Sequence, residues 1–281
     1  MPLEDDFCDI VKKARMGQGL SVADVAHKAG LPPGEVTILE RAGRVPTRNE
    51  VVALASALHL RAEPLMQIAL EGWGPAPSPA PLSCVETVLG DIGGYAVKGY
   101  VAHDAGEALL IDTAYNADRM LEIVAQRGLR LLGVCLTHGH ADHAGGLDVI
   151  LQHWRVPVYL GEADKSLLGW RPARDLMAQP DDGRTIAVGR LKIQCMTTPG
   201  HTPGGICYRL DQDGRGLCFV GDTLFAGSIG RANPFSLYPV HLESVRRRVL
   251  TLPDQTVLLP GHGPATTVAE ERRHNPFGAD A

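Results

Sequence analysis

Three histidines and an aspartate stand within six residues of one another in the middle of the chain, at His138, His140, Asp142 and His143. They follow the apolar run 131–136, which is typical of a buried strand, so they begin where that strand ends. Alternate residues of an extended segment point to the same side, which brings the first two imidazoles together. Imidazole and carboxylate are ligands that suit zinc and iron. The spacing therefore predicts part of a metal site.

Three later loops each present one further ligand-type side chain. They are His201 between two proline corners, Asp222 at the end of an apolar run, and His262 at the end of another. In each case a β-type run stops at a glycine, and a stiff turn holds the side chain in one direction, as a preorganised site requires. Together with the first cluster, these loops predict a complete centre for metal ions.

The four stretches together resemble the pattern of the metallo-β-lactamase superfamily, which is His-x-His-x-Asp-His followed by His, Asp and His. The resemblance covers roughly residues 84–277. It implies an α+β fold, an αββα sandwich with the ligands on loops at one edge of two sheets. It also implies two divalent metal ions, zinc or alternatively iron or manganese. The implied ligands are His138, His140 and His201 for one ion, Asp142, His143 and His262 for the other, and Asp222 as the bridge.

Three segments, residues 199–204, 221–225 and 227–231, resemble the glyoxalase II group of thioester hydrolases within that superfamily. The implied activity is hydrolysis of a small-molecule thioester by a metal-bridging hydroxide. Asp142 and Asp222 would be the catalytic residues. The leaving thiol ionises easily and needs little help from an acid.

The substrate stays open at this point. Only nineteen residues follow His262, which resembles the short ending of the compact bacterial glyoxalase II type. The larger enzymes have a C-terminal helical domain that contributes basic residues to glutathione. A persulfide dioxygenase is the alternative enzyme, because that branch is similar in motif. It uses one iron, whose ligands would map to His138, His201 and Asp222.

Two further residues have an open role near the motifs. Asp112 ends a predicted strand, and it either orients a ligand histidine or is an ordinary strand-end carboxylate. Arg231 either binds a substrate carboxylate or locks its loop by hydrogen bonds.

The elements that must position these residues alternate between strand and helix from residue 84 onwards. We expect strands at residues 95–102, 107–112, 131–136, 156–160, 191–197, 205–210, 217–220 and 256–259, and helices at residues 118–126, 145–153 and 242–250. The strands before and after residues 213–214 are expected to form a hairpin. The predicted ligands thus follow the ends of strands.

Residues 1–71 are predicted to form a separate region of five helices, with Ser21 capping the second and Gly30 making the turn to the third. Residues 20–31, followed by residues 39–43, resemble the Cro/repressor type of helix-turn-helix domain. The resemblance implies DNA as a partner.

The charge of this region argues against strong DNA binding. Residues 1–72 carry eight Lys or Arg against ten Asp or Glu, whereas affinity for nucleic acid comes largely from cations that meet phosphates. The candidates for contacts with the DNA phosphate backbone are Arg41, Arg44 and Arg48. DNA binding and a dimerisation or partner-docking role are equal alternatives. A transcription regulator with the metal domain as its sensor is the corresponding non-enzymatic hypothesis.

A proline-rich linker at residues 72–83 leads to the expected metal domain at residues 84–281. Its alternating prolines predict an extended spacer that holds the domains apart or in a set geometry. The net charge of −5 and the lack of a membrane-length apolar run exclude a membrane partner. The acidic N-terminus is unlike a secretory signal, and six scattered cysteines are expected to be reduced. We expect a cytoplasmic homodimer.

Overall fold

The computed structural model describes residues 1–77, 83–212 and 215–278. Residues 78–82 of the predicted spacer, which include two of its four prolines, lie outside these ranges, and so does the predicted hairpin turn at residues 213–214. No helix in the described ranges is long and apolar enough to cross a bilayer. The six cysteines are not joined in disulfides, and five of them are buried.

The N-terminal region is helical, as predicted. Its helices are α1 Phe7–Gly17, α2 Val22–Ala29, α3 Pro33–Glu40, α4 Arg48–Ala57 and α5 Ala62–Leu70. Ser21 and Asp24 form a reciprocal cap at the start of α2, and Gly30 ends that helix in a left-handed conformation with φ 65°. The predicted roles of Ser21 at the start and Gly30 at the end of α2 are therefore confirmed.

Two six-stranded sheets follow in the described part of the chain. The first has the order β1 Val85–Ile92, β2 Tyr95–Asp104, β3 Glu107–Ile111, β4 Arg130–Cys135, β5 Val158–Tyr159 and β6 Met177–Ala178. The second contains β7 Thr185–Val188, β8 Leu191–Thr197, β9 Ile206–Gln212, β10 Arg215–Gly221, β11 Val257–Pro260 and β12 Thr266–Thr267, in the reverse order from β12 to β7. The pairs from β3 to β6 and the pair β10–β11 are parallel.

Helices cover the outer faces of both sheets. They are α6 Ala117–Gln126, α7 Ala141–Ala144, α8 Leu147–His153, α9 Tyr238–Ser244 and α10 Val268–His274. The helix predicted at residues 145–153 begins two residues later, at Leu147, because Gly146 adopts a φ of 80° and separates α8 from α7. The helix predicted at residues 242–250 begins earlier, at Tyr238, and its second half is a π-helical turn at Val245–Val249.

The side chains of each sheet alternate between two apolar layers. In the second sheet, Tyr208 and Phe219 face the layer between the sheets, while Cys207 and Val220 face the outer layer. The first sheet packs its outer face against α6 and α8 through residues such as Met120. This arrangement confirms the predicted α+β fold with two sheets.

The helical region packs directly on the outer layer of the second sheet. Ile10 and Leu65 belong to the same buried cluster as Val220 and Val249. The Trp73 ring stacks on a side chain of α10, with 5.1 Å between ring centroids. The alternative that the spacer holds the two regions apart is therefore wrong, and the regions have a set geometry.

Candidate metal centre

The first cluster of predicted ligands lies on the turn after β4 and in α7. β4 lies between two parallel strands, so the carboxyl ends of all three strands lie at the same end of the first sheet. Loops that follow such strand ends commonly form binding sites. The turn and α7 carry His138, His140, Asp142 and His143. Gly139 fits between the first two because it lacks a side chain: a Cβ there would lie 2.6 Å from the carbonyl oxygen of Asp164.

The remaining ligands come from loops of the second sheet. His201 lies between β8 and β9, Asp222 directly follows β10, and His262 lies two residues after β11. Gly261 allows the last loop to close on the cluster, since a Cβ there would lie 2.3 Å from Cε1 of His143. The edges of the two sheets thus supply one common site.

The structure brings six of the predicted ligands together in two groups of three. Within each group the donor atoms lie within 4.8 Å of one another. The groups are His138, His140 and His201, and Asp142, His143 and His262. In the first, Nε2 of His201 is 3.0 Å from Nδ1 of His140. In the second, Nε2 of His262 is 3.2 Å from Oδ2 of Asp142. Each group can therefore converge on one cation.

Asp222, the seventh predicted ligand, lies between the two groups. Its Oδ1 is 3.2 Å from Nε2 of His143. Its Oδ2 is 3.6 Å from Nε2 of His201 and 3.7 Å from Nε2 of His262. A carboxylate with both oxygens placed in this way can bridge two cations.

Three buried donor atoms of the centre have no hydrogen-bond partner among the described residues: Nε2 of His138, Nε2 of His143 and Oδ1 of Asp222. A buried polar atom left unpaired costs about 1–3 kcal/mol. Divalent cations satisfy such atoms, because imidazole nitrogen and carboxylate oxygen are their usual ligands. The residues therefore fit metal ions, and this donor set suits zinc, iron and manganese alike.

Asp112 fixes the direction of one ligand ring. Its Oδ2 lies 2.8 Å from Nδ1 of His143, and the carboxylate also accepts bonds from the backbone N–H and the hydroxyl of Thr137 at 2.7 and 2.8 Å. The same hydroxyl lies 3.1 Å from Nδ1 of His138. Of the two roles open for Asp112, the structure favours the first, because the carboxylate orients His143, which is a predicted ligand.

Backbone carbonyls fix two more rings. The carbonyl oxygen of Arg231 lies 2.8 Å from Nδ1 of His201. That of Ala96 lies 2.7 Å from Nδ1 of His262. With Nδ1 occupied on the outside, Nε2 of each ring points into the centre.

The electrostatics of the centre favour the metal-binding form of some of its residues and oppose it in others. Burial lowers the pKa of His201 to about 3, and burial together with the charge of His143 lowers the pKa of His138. Burial alone would raise the pKa of Asp222, but the imidazoles of His143 and His262 outweigh it and the pKa falls. Although burial opposes it, nearby carboxylates raise the pKa of His262 to about 9 and also raise that of His143, so these two rings must lose a proton to bind a cation.

Comparison with known proteins identifies the family. The model of the metallo-beta-lactamase superfamily matches residues 92–262. The chain belongs to the metallo-β-lactamase superfamily. It is 33% identical over 201 residues to the probable metallo-hydrolase YqgX of Bacillus subtilis, an alignment that covers 66% of this chain and 94% of that one. It is 32% identical over 192 residues to the hydroxyacylglutathione hydrolase GloC of Haemophilus influenzae, covering 62% and 88%.

Among solved structures, the chain resembles TTHA1623 in a di-iron-bound form. The TM-score is 0.58 at 28% identity, and the match covers 68% of this chain and 99% of that one. These similarities and the His and Asp groups support a metal-dependent hydrolase of the metallo-β-lactamase fold.

Lys98 and Glu4 lie beside the superfamily motif, although sequence reasoning missed both. The buried Lys98 amine donates to the carbonyl oxygen of Gly263 at 2.5 Å, and burial lowers its pKa to about 8. Glu4, from the segment before α1, packs against the same glycine, where a Cβ would lie 3.0 Å from the Glu4 nitrogen. Neither residue belongs to a motif, so only the fold could place them here.

Arg231 contributes to the centre through its backbone. The guanidinium is exposed and makes no hydrogen bond or ion pair with the described residues. The side chain therefore does not lock the loop, whereas the carbonyl oxygen holds His201. The predicted role in substrate binding is compatible with the free guanidinium.

The three arginines predicted to bind DNA lie on the helical region. Arg44 is bound by two carboxylates, at 2.5 Å from both Glu35 and Glu50. Arg48 pairs with Glu71 at 3.1 Å. Arg41 is exposed. Two of the three cations are thus already neutralised by neighbouring acids.

Proposed function

We propose that the protein is a glyoxalase II-like thioesterase of the hydroxyacylglutathione type. The observation that carries the proposal is the position of Asp222 between two complete groups of ligands. The resemblance of residues 199–204, 221–225 and 227–231 to glyoxalase II, and the name of the GloC relative, support a thioester as substrate.

The ligand groups assign the residues their roles. His138, His140 and His201 would hold one ion, and Asp142, His143 and His262 would hold the other. When bound, the two ions supply a hydroxide near neutral pH and positive charge beside the carbonyl oxygen of the substrate.

The two carboxylates of the centre would have different roles. Asp222, with 10% of its side chain exposed, keeps the two groups of ligands at a fixed separation. Asp142, with 23% exposed, faces the open side and can accept a hydrogen bond from water. The leaving thiolate needs no acid, because thiols ionise near pH 8.5, well below alcohols.

Release of thiol from S-lactoylglutathione by the purified, zinc-, iron- or manganese-loaded protein tests the proposal. We expect turnover in the wild type and a loss of about a thousandfold or more in Asp222→Ala, since the bridging carboxylate is removed. Asp118→Ala, at an exposed position of α6, is the matched control. No turnover by the wild type with any of the three metals would contradict the proposal.

The alternative enzyme, a mononuclear-iron persulfide dioxygenase, would use His138, His201 and Asp222. The second group, Asp142, His143 and His262, has side chains that are present in both branches, so the ligands alone do not separate the two enzymes. Oxygen uptake by the iron-loaded protein with glutathione persulfide, in the absence of thioester turnover, would favour the dioxygenase instead.

For residues 1–71 we propose a helix-turn-helix unit formed by α2 and α3, which docks a protein partner or a second copy rather than DNA. The neutralised Arg44 and Arg48 support this choice. Electrophoretic mobility shifts with the DNA upstream of the gene and with random DNA test it. Specific, salt-dependent binding to the upstream DNA would instead support a transcription regulator with the metal domain as sensor.

A further inference from the structure

The segment between β5 and β6 borders a cavity of about 630 Å³. The segment contains two short 3-10 helices, Glu162–Leu167 and Arg174–Leu176. Three cationic side chains, Lys165, Arg171 and Arg174, line the cavity, which we call the basic cleft. None of them belongs to the metal motifs.

The cations of the basic cleft outnumber its acids. Lys165 pairs with Glu162 at 2.6 Å, which leaves that pair neutral. Arg171 and Arg174 are exposed and have no ion pair with the described residues. Two unpaired guanidinium groups remain, and their planar forks suit the oxygens of carboxylates and phosphates.

The wall of the basic cleft is fixed to the metal-binding loops by Asp164, which is completely buried. Its carboxylate accepts a bond from the Thr202 hydroxyl at 2.6 Å and from the Gly204 N–H at 2.7 Å, next to the ligand His201. It also accepts a bond from the Gly139 N–H at 3.3 Å, between two ligand histidines. The 3-10 helix that carries Lys165 therefore keeps one position relative to the centre.

The cleft and the centre are close neighbours across this 3-10 helix. A Cβ at Gly139 would lie 2.9 Å from Cβ of Leu167, so the helix touches the ligand turn itself. Leu168 and Met177 add apolar surface to the cleft. An extended ligand can lie against this surface with its charged end at the arginines.

We propose that the basic cleft binds the anionic part of the carrier thiol, through carboxylate or phosphate oxygens, while the acyl thioester lies at the metal ligands. The inference rests on the proposed thioesterase function and names its substrate class: thioesters of an anionic carrier. Glutathione offers carboxylates and coenzyme A offers phosphates, and both would meet Arg171 and Arg174 in the same way.

Kinetics with three carriers test the proposal. The double variant Arg171→Ala/Arg174→Ala should raise KM about tenfold or more for lactoyl-glutathione or lactoyl-coenzyme A, because two charge-assisted contacts are lost. It should leave KM for the lactoyl thioester of N-acetylcysteamine unchanged, since that carrier is uncharged. Arg119→Ala/Arg247→Ala changes the net charge equally at two exposed positions outside the cleft and is the control.

The carrier with the larger rise in KM identifies the source of the anion. An equal rise for the uncharged carrier, or no rise for either anionic carrier, would overturn the proposal.

A binding measurement separates this inference from the proposed function. Calorimetric titration with S-methylglutathione and with coenzyme A requires no turnover. Binding of either by the wild type and the control, with about tenfold or greater loss in the Arg171/Arg174 double variant, supports the cleft even if no thioester is hydrolysed. Equal affinity in all three proteins, or no binding by the wild type, would overturn it.

Discussion

Asp112 fixes the orientation of the His143 ring at the metal centre, because its Oδ2 lies 2.8 Å from Nδ1 of that ring. We expect Asp112→Ala to lower metal affinity by about 10- to 100-fold, since the ring loses its orientation. Competition with a chromogenic chelator on the folded protein measures the change. Asp118→Ala is the exposed control. Unchanged affinity in Asp112→Ala would show that other contacts orient the ring.

Lys98 is expected to make the free energy of unfolding depend on pH in the alkaline range. Burial lowers the pKa of its amine from 10.5 to about 8 in the folded protein. Between these values only the unfolded chain holds the proton, so the free energy of unfolding rises with pH across this window. The contribution is lost as the pH falls from 10.5 to about 8, and it amounts to about 3 kcal/mol at most.

Urea denaturation at pH 8 and pH 10 measures this contribution. We expect Lys98→Met to lack the rise that the wild type shows, whereas Lys192→Met, at an exposed position of β8, should keep it. Parallel pH profiles for the wild type and Lys98→Met would mean that the amine keeps an ordinary pKa in the folded protein.

At the residue scale, the sequence predicted the ligands that can be recognised by the type and spacing of their side chains. All seven proposed ligands are histidine or aspartate in motifs, and the structure brings them together. The carbonyl oxygens of Ala96 and Arg231 could not be predicted, because every residue has a backbone carbonyl. Lys98 was missed because its proximity to the centre arises only from the packing of β2 against the last loop.

At the scale of elements, the loop at residues 223–231 depends on the helical region. The Ser228 hydroxyl donates to Asp5 at 2.6 Å, and Lys13 donates to the carbonyl oxygen of Ile229 at 3.0 Å. Lys13 and Asp5 also form an ion pair at 2.5 Å. α1 and the segment before it therefore hold the loop whose end orients His201.

Removing the Lys13 amine should destabilise this loop. In Lys13→Met, the carboxylate of Asp5 stays buried without its cation, which costs about 3–5 kcal/mol for a buried pair. Urea denaturation should show this loss, and the metal affinity should fall because the loop carries the carbonyl that orients His201. Lys12→Met, at an exposed position one residue earlier, is the control. Equal stability of the two variants would show that the loop does not need the pair.

The sequence predicted long, regular elements better than short strands. The structure has the five helices predicted within residues 1–71, and three of them begin at a capping side chain, Asp6, Ser21 or Thr47. β6 and β12, with two residues each, have no periodic pattern to detect. β1 was missed because Glu86, Gly90 and Asp91 interrupt its apolar alternation.

At the scale of the whole molecule, the helical region and the second sheet share one buried core, which runs from Ile10 and Leu65 to Val220 and Val249. The sequence could not show this, because a linker of prolines indicates a boundary but not whether the regions touch. We expect one cooperative thermal transition in the metal-loaded protein, since neither part can unfold without exposing the shared core. Scanning calorimetry measures it, and two separated transitions would contradict a single core.

Activity against added metal tests the proposed centre most directly. The metal-free protein is titrated with zinc, and thiol release from S-lactoylglutathione is followed at each addition. Because two groups of ligands share Asp222, thioesterase activity should rise until two ions are bound per chain and then stay constant. A plateau at one ion per chain, with the second group idle, would contradict a dinuclear hydrolase.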